Sequence, residues 1–416
     1  MQPNILAHPE LAAEGQRKIE WVRRNMPILR QLEQRFVTEQ PFAGKRIAVC
    51  IHLEAKTAYL ALVLRAGGAA VAVTGSNPES TKDDVVAALA AEGLHVYARH
   101  GAELDEMRRY MGLALELVPH VVIDDGGDLV ELLHESHRSH AKEMLGACEE
   151  TTSGVLRARA RAKAGQLRFP VVLVNEARCK YLFDNVHGTG QSVWDAVMRT
   201  TNLVLAGKTV AIVGYGWCGQ GCALRAQGLG AQVVVCEVDP IKAADALMRG
   251  CRVLPLAEAC RVADVVLTVT GVRHTLRREH FALLKNNVLL ANAGHFSQEI
   301  DVASLADTAV ERKSLRANVE GFRLADGRWL NLLGGGNIVN ISCADGHPAE
   351  IMDMSFALQA LAAHHVVEQA HSLTPGCYPV PAAIDEHVAR LKLAAAGVAI
   401  DALTADQQQY LAHWRA

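Results

Sequence analysis

Lys180 and Asp184 are a lysine and an aspartate four residues apart, and Asn175 and Asn185 flank them in the stretch VNEARCKYLFDN. On a solvated helix such a pair would add only about 0.2–0.5 kcal/mol to helix stability. The pair follows the run FPVVLVN, which predicts a strand, and it lies just upstream of a second α/β pattern. A position between two domains favours a role in chemistry, with a surface ion pair as the simpler alternative.

Other strand patterns also end in polar residues. His52 follows RIAVCI, Asn77 follows AVAVTGS, and Asp125 follows PHVVID. Ligands bind at the carboxyl ends of the strands in an open α/β sheet. We therefore expect these three residues and Asn175 to lie near one binding site, although any one of them alone would more often be a satisfied buried polar residue.

A glycine-rich turn after the strand pattern VAIVG supplies a candidate cofactor site. Its glycines are Gly214, Gly216 and Gly219, and the strand pattern QVVVCEVD that follows the next helix carries Glu237. This spacing permits a tight turn and close approach of a pyrophosphate to a helix N-terminus, while the acid accepts hydrogen bonds from the adenosine ribose. The combination predicts NAD, because Glu237 would repel a 2′-phosphate; Lys242 leaves NADP as an alternative.

The elements that must position these residues alternate between β-branched runs and helical runs. RIAVCIHL, KTAYLALVLRAGG, AAVAVTGS and DDVVAALAAEG follow one another, and a second such series begins at GKTVAIVG. This alternation predicts βαβ units and therefore parallel sheets. The predicted fold class is α/β, with two doubly wound, Rossmann-like domains and a C-terminal helical segment. We expect a substrate-binding domain (1–184 and 346–376), an NAD-binding domain (185–345) and a helical oligomerisation segment (377–416).

Composition limits the possible partners. Half of the 416 residues are apolar, which is enough for sizeable cores. The net charge of -3, with both signs mixed throughout, gives no field to attract nucleic acid or an anionic membrane. No apolar run approaches the roughly 20 residues needed to cross a bilayer, and no targeting segment is recognisable, so we expect a cytoplasmic protein. Ten singly scattered cysteines predict reduced thiols and no metal site.

Taken together, the motifs closely resemble those of the adenosylhomocysteinase (S-adenosylhomocysteine hydrolase) family. The resemblance runs from about residue 15 to the end, and it depends on the order and spacing of many segments rather than on any one of them. The segments are IHLEAKTA, GSNPESTKDD, IDDGGDL, CEETTSGV, KYLFDN, HGTGQS, GYGWCGQG, EVDPIKA, NAGHF, NIVN and GHP.

The resemblance implies an enzyme that oxidises the 3′-hydroxyl of a nucleoside thioether with tightly held NAD. The 3′-ketone makes the neighbouring C4′ proton acidic, so a base removes it and the 5′-substituent is expelled. Water then adds and the stored hydride is returned, which makes the net reaction a hydrolysis. We expect domain closure over the substrate, because the intermediate must be kept from stray water. The resemblance also implies a homotetramer.

Matching positions in the family motifs imply catalytic roles for several polar residues. Lys180 and Asp184 would bind and deprotonate the 3′-hydroxyl, and Glu150 would hold the ribose hydroxyls. We expect burial against the cofactor to depress the pKa of Lys180 towards neutrality, so that it can act as a base. Asp125 would take part in C4′ proton transfer.

The resemblance also implies residues for the leaving group, the nucleoside and the cofactor. His52 and His295 would handle the 5′ leaving group and the incoming water, and His347 in GHP would line the nucleoside site. Contacts to the cofactor beside the glycine loop would come from Thr151, Thr152, Ser153, Asn185 and Asn340.

The residues that would read the purine base depart from the better-known members of the family. Glu54 and Lys56 stand where those members have Thr and Glu or Gln, whereas a short-tailed, archaeal-like branch resembles this HLEAKTA segment. Glu54 could accept from N1–H of a 6-oxopurine while Lys56 donates to its O6, which suits hypoxanthine; adenine would require a protonated or water-bridged Glu54. The resemblance therefore implies S-adenosyl- or S-inosyl-L-homocysteine, a purine nucleoside thioether, as the substrate.

Further departures lie towards the substrate tail, and they keep a second function open. They are Lys82, Ser297, Gly335, Asn337 and Leu358, together with the ending QQYLAHWRA in place of a basic, Tyr-containing tail. A relative that keeps 3′-oxidation could dehydrate a purine nucleoside to a 4′,5′-unsaturated product in specialised metabolism. A catalytically silent NAD-binding regulator is the third possibility, and the retained set of Lys180, Asp184, Asp125 and His295 speaks against it.

Overall fold

Two α/β units, each built on one sheet, account for the described chain. The structure is a computed structural model that describes residues 3–294 and 297–413. The first sheet, sheet A, has seven strands, and the second, sheet B, has eight. Within the described residues no helix is both long enough and apolar enough to span a bilayer. All ten cysteines lie in the described ranges and are free thiols.

Sheet A takes six strands from the first part of the chain, and all its pairings are parallel, as the alternation of runs predicted. The strands are β1 (Arg46–Ile51), β2 (Ala70–Gly75), β3 (His95–Tyr97), β4 (Val121–Asp124), β5 (Gly146–Glu149) and β6 (Val171–Leu173). The helices of this part are α1 (Ala12–Asn25), α2 (Pro27–Glu39), α3 (Ala55–Ala66), α4 (Asp83–Ala91), α5 (Leu104–Leu115), α6 (Asp128–His134), α7 (Thr152–Lys163) and α8 (Arg178–Lys180).

A π-helix, Tyr181–Gly188, leads from α8 into the second unit. The strands of sheet B are β7 (Thr209–Val213), β8 (Gln232–Cys236), β9 (Arg252–Val253), β10 (Val265–Thr268), β11 (Val288–Asn292), β12 (Ala309–Arg316), β13 (Val319–Leu324) and β14 (Trp329–Leu333). The helices are α9 (Thr189–Thr201), α10 (Trp217–Gly228), α11 (Pro240–Met248), α12 (Leu256–Val262), α13 (Arg278–Phe281), α14 (Val302–Thr308) and α15 (Val339–Ser342).

Sheet B is mixed. Its parallel pairings confirm the second doubly wound domain, and antiparallel pairings that were not predicted extend it at one edge. The strand order is β12-β13-β14-β11-β10-β7-β8-β9, and β13 is antiparallel to both of its neighbours. Only residues 317–318 separate β12 from β13, with Asn318 at φ 60°. Such a short link joins antiparallel strands, because a parallel crossover needs a dozen or more residues.

The chain then returns to the first unit. The long helix α16 (Ala349–Glu368) packs on β4 and β5, and it is followed by β15 (Cys377–Pro379), α17 (Ala382–Ala395) and α18 (Ala405–Ala412). Strand β15 pairs in parallel with β6 at the edge of sheet A. A strand thus lies in the segment from which only helices were expected.

Apolar layers cover both faces of each sheet. In β1, Ile47 and Val49 belong to one core, whereas Ala48 and Cys50 belong to the core on the opposite face. Successive side chains of a strand point to opposite faces, so a strand with helices on both sides is apolar without interruption. The polar residues that follow such strands are therefore the first side chains free to face a ligand.

Candidate active site

A cavity of 2210 Å³ brings the predicted site residues together. It lies where the carboxyl ends of the sheet A strands face the glycine turn of sheet B. Every predicted site residue that the structure describes lines it except Gly219 and Asn77. His295 lies outside the described residues. The lining includes His52, Glu54, Lys56, Asp125, Glu150, Thr151, Thr152, Ser153, Lys180, Asp184, Asn185, Gly214, Gly216, Glu237, Asn340 and His347.

Lys180 lies at the centre of a buried polar cluster. Its Nζ is 2.9 Å from Asp184 Oδ2 and 3.5 Å from Glu150 Oε1. The same nitrogen donates to Asn175 Oδ1 at 3.1 Å and to Asn185 Oδ1 at 3.0 Å. Lys180 is only 4% exposed, so its charge interacts with these partners at low dielectric. The alternative of a surface ion pair is therefore wrong.

The π-helix positions Asp184 between two units of the chain. Asp184 Oδ2 lies beside Lys180 from the preceding turn and accepts from Ser355 Oγ of α16 at 3.1 Å, while its Oδ1 contacts His347 Nδ1. His347 Nε2 lies 3.2 Å from Thr189 Oγ1, so a tautomer that donates from Nδ1 to Asp184 can accept from this hydroxyl at Nε2. A π-helix is a frequent feature of functional sites.

The charges of the cluster shift its pKa values in opposite directions. Burial by itself lowers the pKa of Lys180, but the carboxylates of Asp184 and Glu150 outweigh it and raise that pKa above its ordinary value. The expectation of a depressed lysine pKa is therefore wrong. Burial favours the neutral form of Asp184, yet Lys180 and His347 hold the pKa of this carboxyl well below its usual range.

Glu150 is the member of the cluster that titrates near neutrality. Burial raises its pKa to about 8, although the charge of Lys180 opposes the shift. Glu150 Oε2 accepts from Gln359 Nε2 of α16, and among the described residues Oε1 has no hydrogen-bond donor of its own. The carboxyl group can therefore gain or lose a proton in the working range of pH.

Asp125 and His52 form a second polar group at the ends of β4 and β1. Asp125 Oδ2 accepts from Ser76 Oγ at 2.8 Å and lies 3.5 Å from His52 Nε2. Within the described ranges no donor reaches the buried Asp125 Oδ1. His52 Nδ1 lies 2.8 Å from Ser80 Oγ, which fixes the orientation of the imidazole. Asn77, expected in the same group, uses its Oδ1 to cap a local turn at the amide of Glu79.

Glu54 and Lys56 form one ion pair at the N-terminus of α3. Glu54 Oε2 accepts from the backbone N–H of Lys56 at 3.1 Å, and Lys56 Nζ lies 2.8 Å from the same oxygen. Lys56 Nζ also donates to the carbonyl oxygen of Asp345, 3.1 Å away on the segment that returns from sheet B. The pair thus offers a ligand one acceptor group and one donor group side by side.

The glycine turn has the geometry that a dinucleotide requires. Gly214 has φ +103°, and a Cβ there would lie 2.7 Å from Val269 O, so only glycine fits. A Cβ on Gly219 would lie 2.1 Å from Gly214 O, which shows how closely α10 packs on the turn. A Cβ on Gly216 would meet no described atom within 4 Å, so this position borders open space at the helix N-terminus.

Glu237 and Asn340 present acceptors to a ligand in the same cavity. Burial favours a neutral Glu237, but the N–H groups of Asp239, Tyr215 and Val238 lower the pKa of its carboxyl group. Such a carboxylate suits the two hydroxyls of an adenosine ribose. Asn340 Nδ2 donates to Ser192 Oγ at 3.0 Å, whereas its buried Oδ1 has no donor among the residues described. A carboxamide N–H is a group that fits this acceptor.

Comparison with known proteins gives the family. Residues 4–144 match the model for S-adenosyl-L-homocysteine hydrolase, and residues 185–346 match the model for the NAD binding domain of the same enzyme. A protein named adenosylhomocysteinase from Pyrococcus abyssi is 52% identical over 405 residues, which is 97% of this chain and 96% of the relative. The chain belongs to the S-adenosyl-L-homocysteine hydrolase family. It is an NAD-dependent enzyme.

Two further members of the family are almost as similar. The adenosylhomocysteinase of Thermotoga maritima is 48% identical over 401 residues, or 96% of this chain and 99% of that protein. The S-inosyl-L-homocysteine hydrolase of Methanocaldococcus jannaschii is also 48% identical, over 402 residues and 97% of each chain. These two proteins, whose names differ in the nucleoside, are thus equally similar to this chain.

Two residues that contact the buried carboxylates were not predicted from the sequence. Ser355 donates to Asp184, and Gln359 donates to Glu150. Both lie on α16, in the otherwise apolar run MSFALQALAA, where all of their neighbours are buried. Two polar residues four positions apart in such a run are a signal, because buried polar groups in a helix need partners elsewhere in the fold.

Proposed function

We propose that this enzyme hydrolyses a homocysteine thioether of a purine nucleoside, S-adenosyl- or S-inosyl-L-homocysteine. The observation that carries the proposal is the position of Lys180 Nζ between Asp184 Oδ2, at 2.9 Å, and Glu150 Oε1, at 3.5 Å, in the cavity shared with the glycine turn. The names of the Pyrococcus abyssi and Methanocaldococcus jannaschii relatives support the two alternatives for the base.

Lys180 and Glu150 together can take the proton of the 3′-hydroxyl. NAD, when bound, supplies the reversible oxidation of that secondary alcohol. In our proposal the Lys180 ammonium group gives one proton to Glu150 and takes up the proton of the 3′-hydroxyl. Lys180 is therefore charged before and after the step. Glu150, with a pKa of about 8, has the proton affinity for this role at neutral pH, and Asp184 keeps the lysine in place.

Asp125 and His52 are our candidates for the steps at C4′ and C5′. Asp125 has one buried oxygen without a donor among the described residues, and that oxygen can accept the C4′ proton. His52 Nε2 faces Asp125, so a proton can pass to the 5′ leaving group from the same side of the sugar. His295, outside the described residues, stays a prediction for the same step.

The Glu54–Lys56 pair is our candidate for reading the purine base. Lys56 is 7% exposed, and two acceptors, Glu54 Oε2 and Asp345 O, hold its ammonium group. A 6-oxopurine presents one donor at N1 and one acceptor at O6, which this pair can satisfy in its ionised form. We therefore propose hypoxanthine as the favoured base, and His347 as a further contact to the nucleoside.

The remaining site residues would hold the cofactor, and the chain divides accordingly. We propose that Thr151, Thr152, Ser153, Asn185 and Asn340 contact NAD beside the glycine turn, because all five line the same cavity. We also propose the division into a substrate-binding domain (1–184 and 346–376), an NAD-binding domain (185–345) and an oligomerisation segment (377–416). The matched ranges 4–144 and 185–346 support the first two.

We also propose a cytoplasmic homotetramer. Apolar side chains on α11 that lack cover in the single chain support an assembly, since Ile241 is 79% exposed and Met248 is 85% exposed. Light scattering on the purified enzyme gives the mass directly, and a monomeric mass would contradict this assignment.

Thioether synthesis in the reverse direction tests the proposed function. Purified enzyme is incubated with homocysteine and either adenosine or inosine, and each nucleoside is also given alone. We expect S-nucleosylhomocysteine to form, faster with inosine than with adenosine. Formation of a 4′,5′-unsaturated nucleoside without any thioether would overturn the hydrolase assignment and favour a dehydratase.

A further inference from the structure

Two carboxyl groups lie buried directly beneath the proposed catalytic residues, and the proposed mechanism does not use them. Asp124 ends β4 and Glu149 ends β5, where they are register partners in the parallel pairing of these strands. Their exposures are 0% and 1%. Each immediately precedes a residue of the site, Asp125 or Glu150.

Glu149 connects the loop after β4 to the loop after β5. Its Oε1 accepts from the backbone N–H of Gly126 at 2.9 Å, from the backbone N–H of Thr151 at 3.0 Å and from Thr151 Oγ1 at 2.9 Å. Gly126 directly follows Asp125, and Thr151 directly follows Glu150. One side-chain oxygen therefore holds the backbone next to two residues that would handle substrate protons.

Asp124 holds the loop after β4 through two hydrogen bonds. Its Oδ1 accepts from the backbone N–H of Asp125 at 3.1 Å, and its Oδ2 accepts from the N–H of Val130 in α6 at 2.9 Å. Glu149 thus joins the two loops, and Asp124 fixes the start of the loop after β4.

The absence of a side chain at Gly154 leaves the space that the Glu149 carboxyl group occupies. A Cβ added to Gly154 would lie 2.0 Å from Glu149 Cδ and 2.1 Å from its Oε1. Gly126 has φ +101° and Gly127 has φ +81°, so the β4 loop turns in a way that glycine permits. Burial also raises the pKa of Glu149, which is consistent with a group enclosed by protein rather than water.

We propose that Glu149 is a positioning residue, whose Oε1 sets the separation of the loops that carry Asp125 and Glu150. The inference rests on the proposed function, since these two residues must meet one sugar ring. The separation of the loops depends on how far the Glu149 side chain extends its acceptor oxygen, and not on the charge of the carboxylate. Displacing a reacting group by about 1 Å can cost on the order of 100-fold in rate.

Two substitutions separate the effect of side-chain length at Glu149 from the effect of its charge. Glu149→Gln keeps the length and one carbonyl oxygen but removes the charge, whereas Glu149→Asp keeps the charge and withdraws it by one methylene. We expect kcat to stay within about threefold of the wild type for Glu149→Gln and to fall on the order of 100-fold for Glu149→Asp. The KM for the nucleoside should change less than kcat in both. Glu143→Gln, on the exposed surface of the same unit, is the matched control.

A readout independent of turnover accompanies the kinetics. Amide hydrogen exchange should be faster at Gly126 and Thr151 in Glu149→Asp, while Glu149→Gln keeps their protection. An Asp variant that is as active as the wild type, or more active than the Gln variant, would overturn the proposal. If the wild type forms no thioether, the proposed function fails; the exchange pattern then still decides whether Glu149 joins the loops.

Discussion

The ammonium nitrogen of Lys180 lies 2.9 Å from Asp184 Oδ2, across one turn of a helix that changes there from α to π geometry. Both side chains are at least 95% buried. The same Asp184 oxygen accepts from Ser355 Oγ of α16, so the ion pair joins the end of the first unit to the returning helix.

Replacing Lys180 by methionine should greatly slow the first chemical step. Lys180→Met keeps the length of the side chain but removes the proton carrier, so we expect kcat to fall on the order of 10³-fold. The same change removes the cation beside a buried carboxylate, which should lower the free energy of unfolding by about 3–5 kcal/mol. Formation of reduced nicotinamide on adding nucleoside, and denaturant unfolding, measure the two effects.

The control for this substitution is Lys163→Met, which removes a lysine from the exposed end of α7. It should leave both quantities close to those of the wild type. Oxidation of nucleoside by Lys180→Met at the wild-type rate would show that this lysine is not the proton carrier.

Glu150 should give the pH–rate profile an inflection near pH 8. The pKa of its carboxyl group is raised to about 8, so the group is mostly protonated at pH 6 and mostly ionised at pH 9. If the carboxylate receives the proton, kcat/KM must rise with pH through this range. In Glu150→Gln we expect low activity and no inflection near 8, whereas Glu143→Gln should keep the wild-type profile.

Gln359 should tune this inflection without touching the substrate. Its Nε2 donates to Glu150 Oε2, and this hydrogen bond lowers the pKa of the carboxyl group. Gln359→Met keeps a similar volume but has no donor, so the inflection should move to higher pH by about one unit, since a hydrogen bond to a charged group is worth about 1.5 kcal/mol. A shift to lower pH would contradict this account of the Glu150 pKa.

The parts of the fold that were predicted correctly depend on local patterns. Apolar runs that end in polar residues predicted the parallel strands of sheet A, because a strand covered on both faces is apolar throughout. The antiparallel β13 and the three-residue β15 were not predicted. The direction of β13 depends on a two-residue link, and β15 exists only through its pairing with β6, far away in the sequence.

The site shows the same division between local and non-local information. Motif positions identified Lys180, Asp184 and Glu150, and the fold places all three within one hydrogen-bonded cluster. The direction of the Lys180 pKa could not be read from the sequence, because it depends on whether burial or two neighbouring carboxylates dominates. Gln359 was missed because it reaches Glu150 across more than half of the chain.

Asp353 should stabilise the fold without any part in catalysis. Its two carboxylate oxygens accept from the backbone N–H groups of Ile28 and Leu29 at 2.9 and 2.8 Å, at the start of α2. In Asp353→Asn only one side-chain oxygen remains and the amide points a donor at the other N–H group. We expect a loss of about 1–3 kcal/mol in the free energy of unfolding and an unchanged kcat.

The pH dependence of this effect has a definite sign. Burial raises the pKa of Asp353 to about 6 from an ordinary value of 3.8. The folded state therefore holds the proton more tightly than the unfolded chain, so this group's contribution to stability is lost as pH rises from about 4 through 6. Denaturant unfolding at several pH values should show this slope reduced in Asp353→Asn. The exposed Glu350→Gln on the same helix should keep it.

Lys56 should decide how well the enzyme distinguishes hypoxanthine from adenine. Its ammonium group lies between Glu54 Oε2 and Asp345 O, where it can donate to a purine O6. Lys56→Met removes this donor, so kcat/KM for S-inosylhomocysteine should fall about 10-fold or more, as expected for a lost hydrogen bond from a charged group. S-adenosylhomocysteine has no O6, so its kcat/KM should fall less.

The ratio of the two kcat/KM values is the useful measurement, because a general loss of folded enzyme lowers both values by the same factor. Lys163→Met, which removes an exposed lysine far along the same unit, should leave the ratio unchanged. If Lys56→Met instead raises the preference for the inosyl substrate, Lys56 does not donate to O6. In that case the Glu54 carboxylate, without its cation, accepts from N1–H of the base unaided by Lys56.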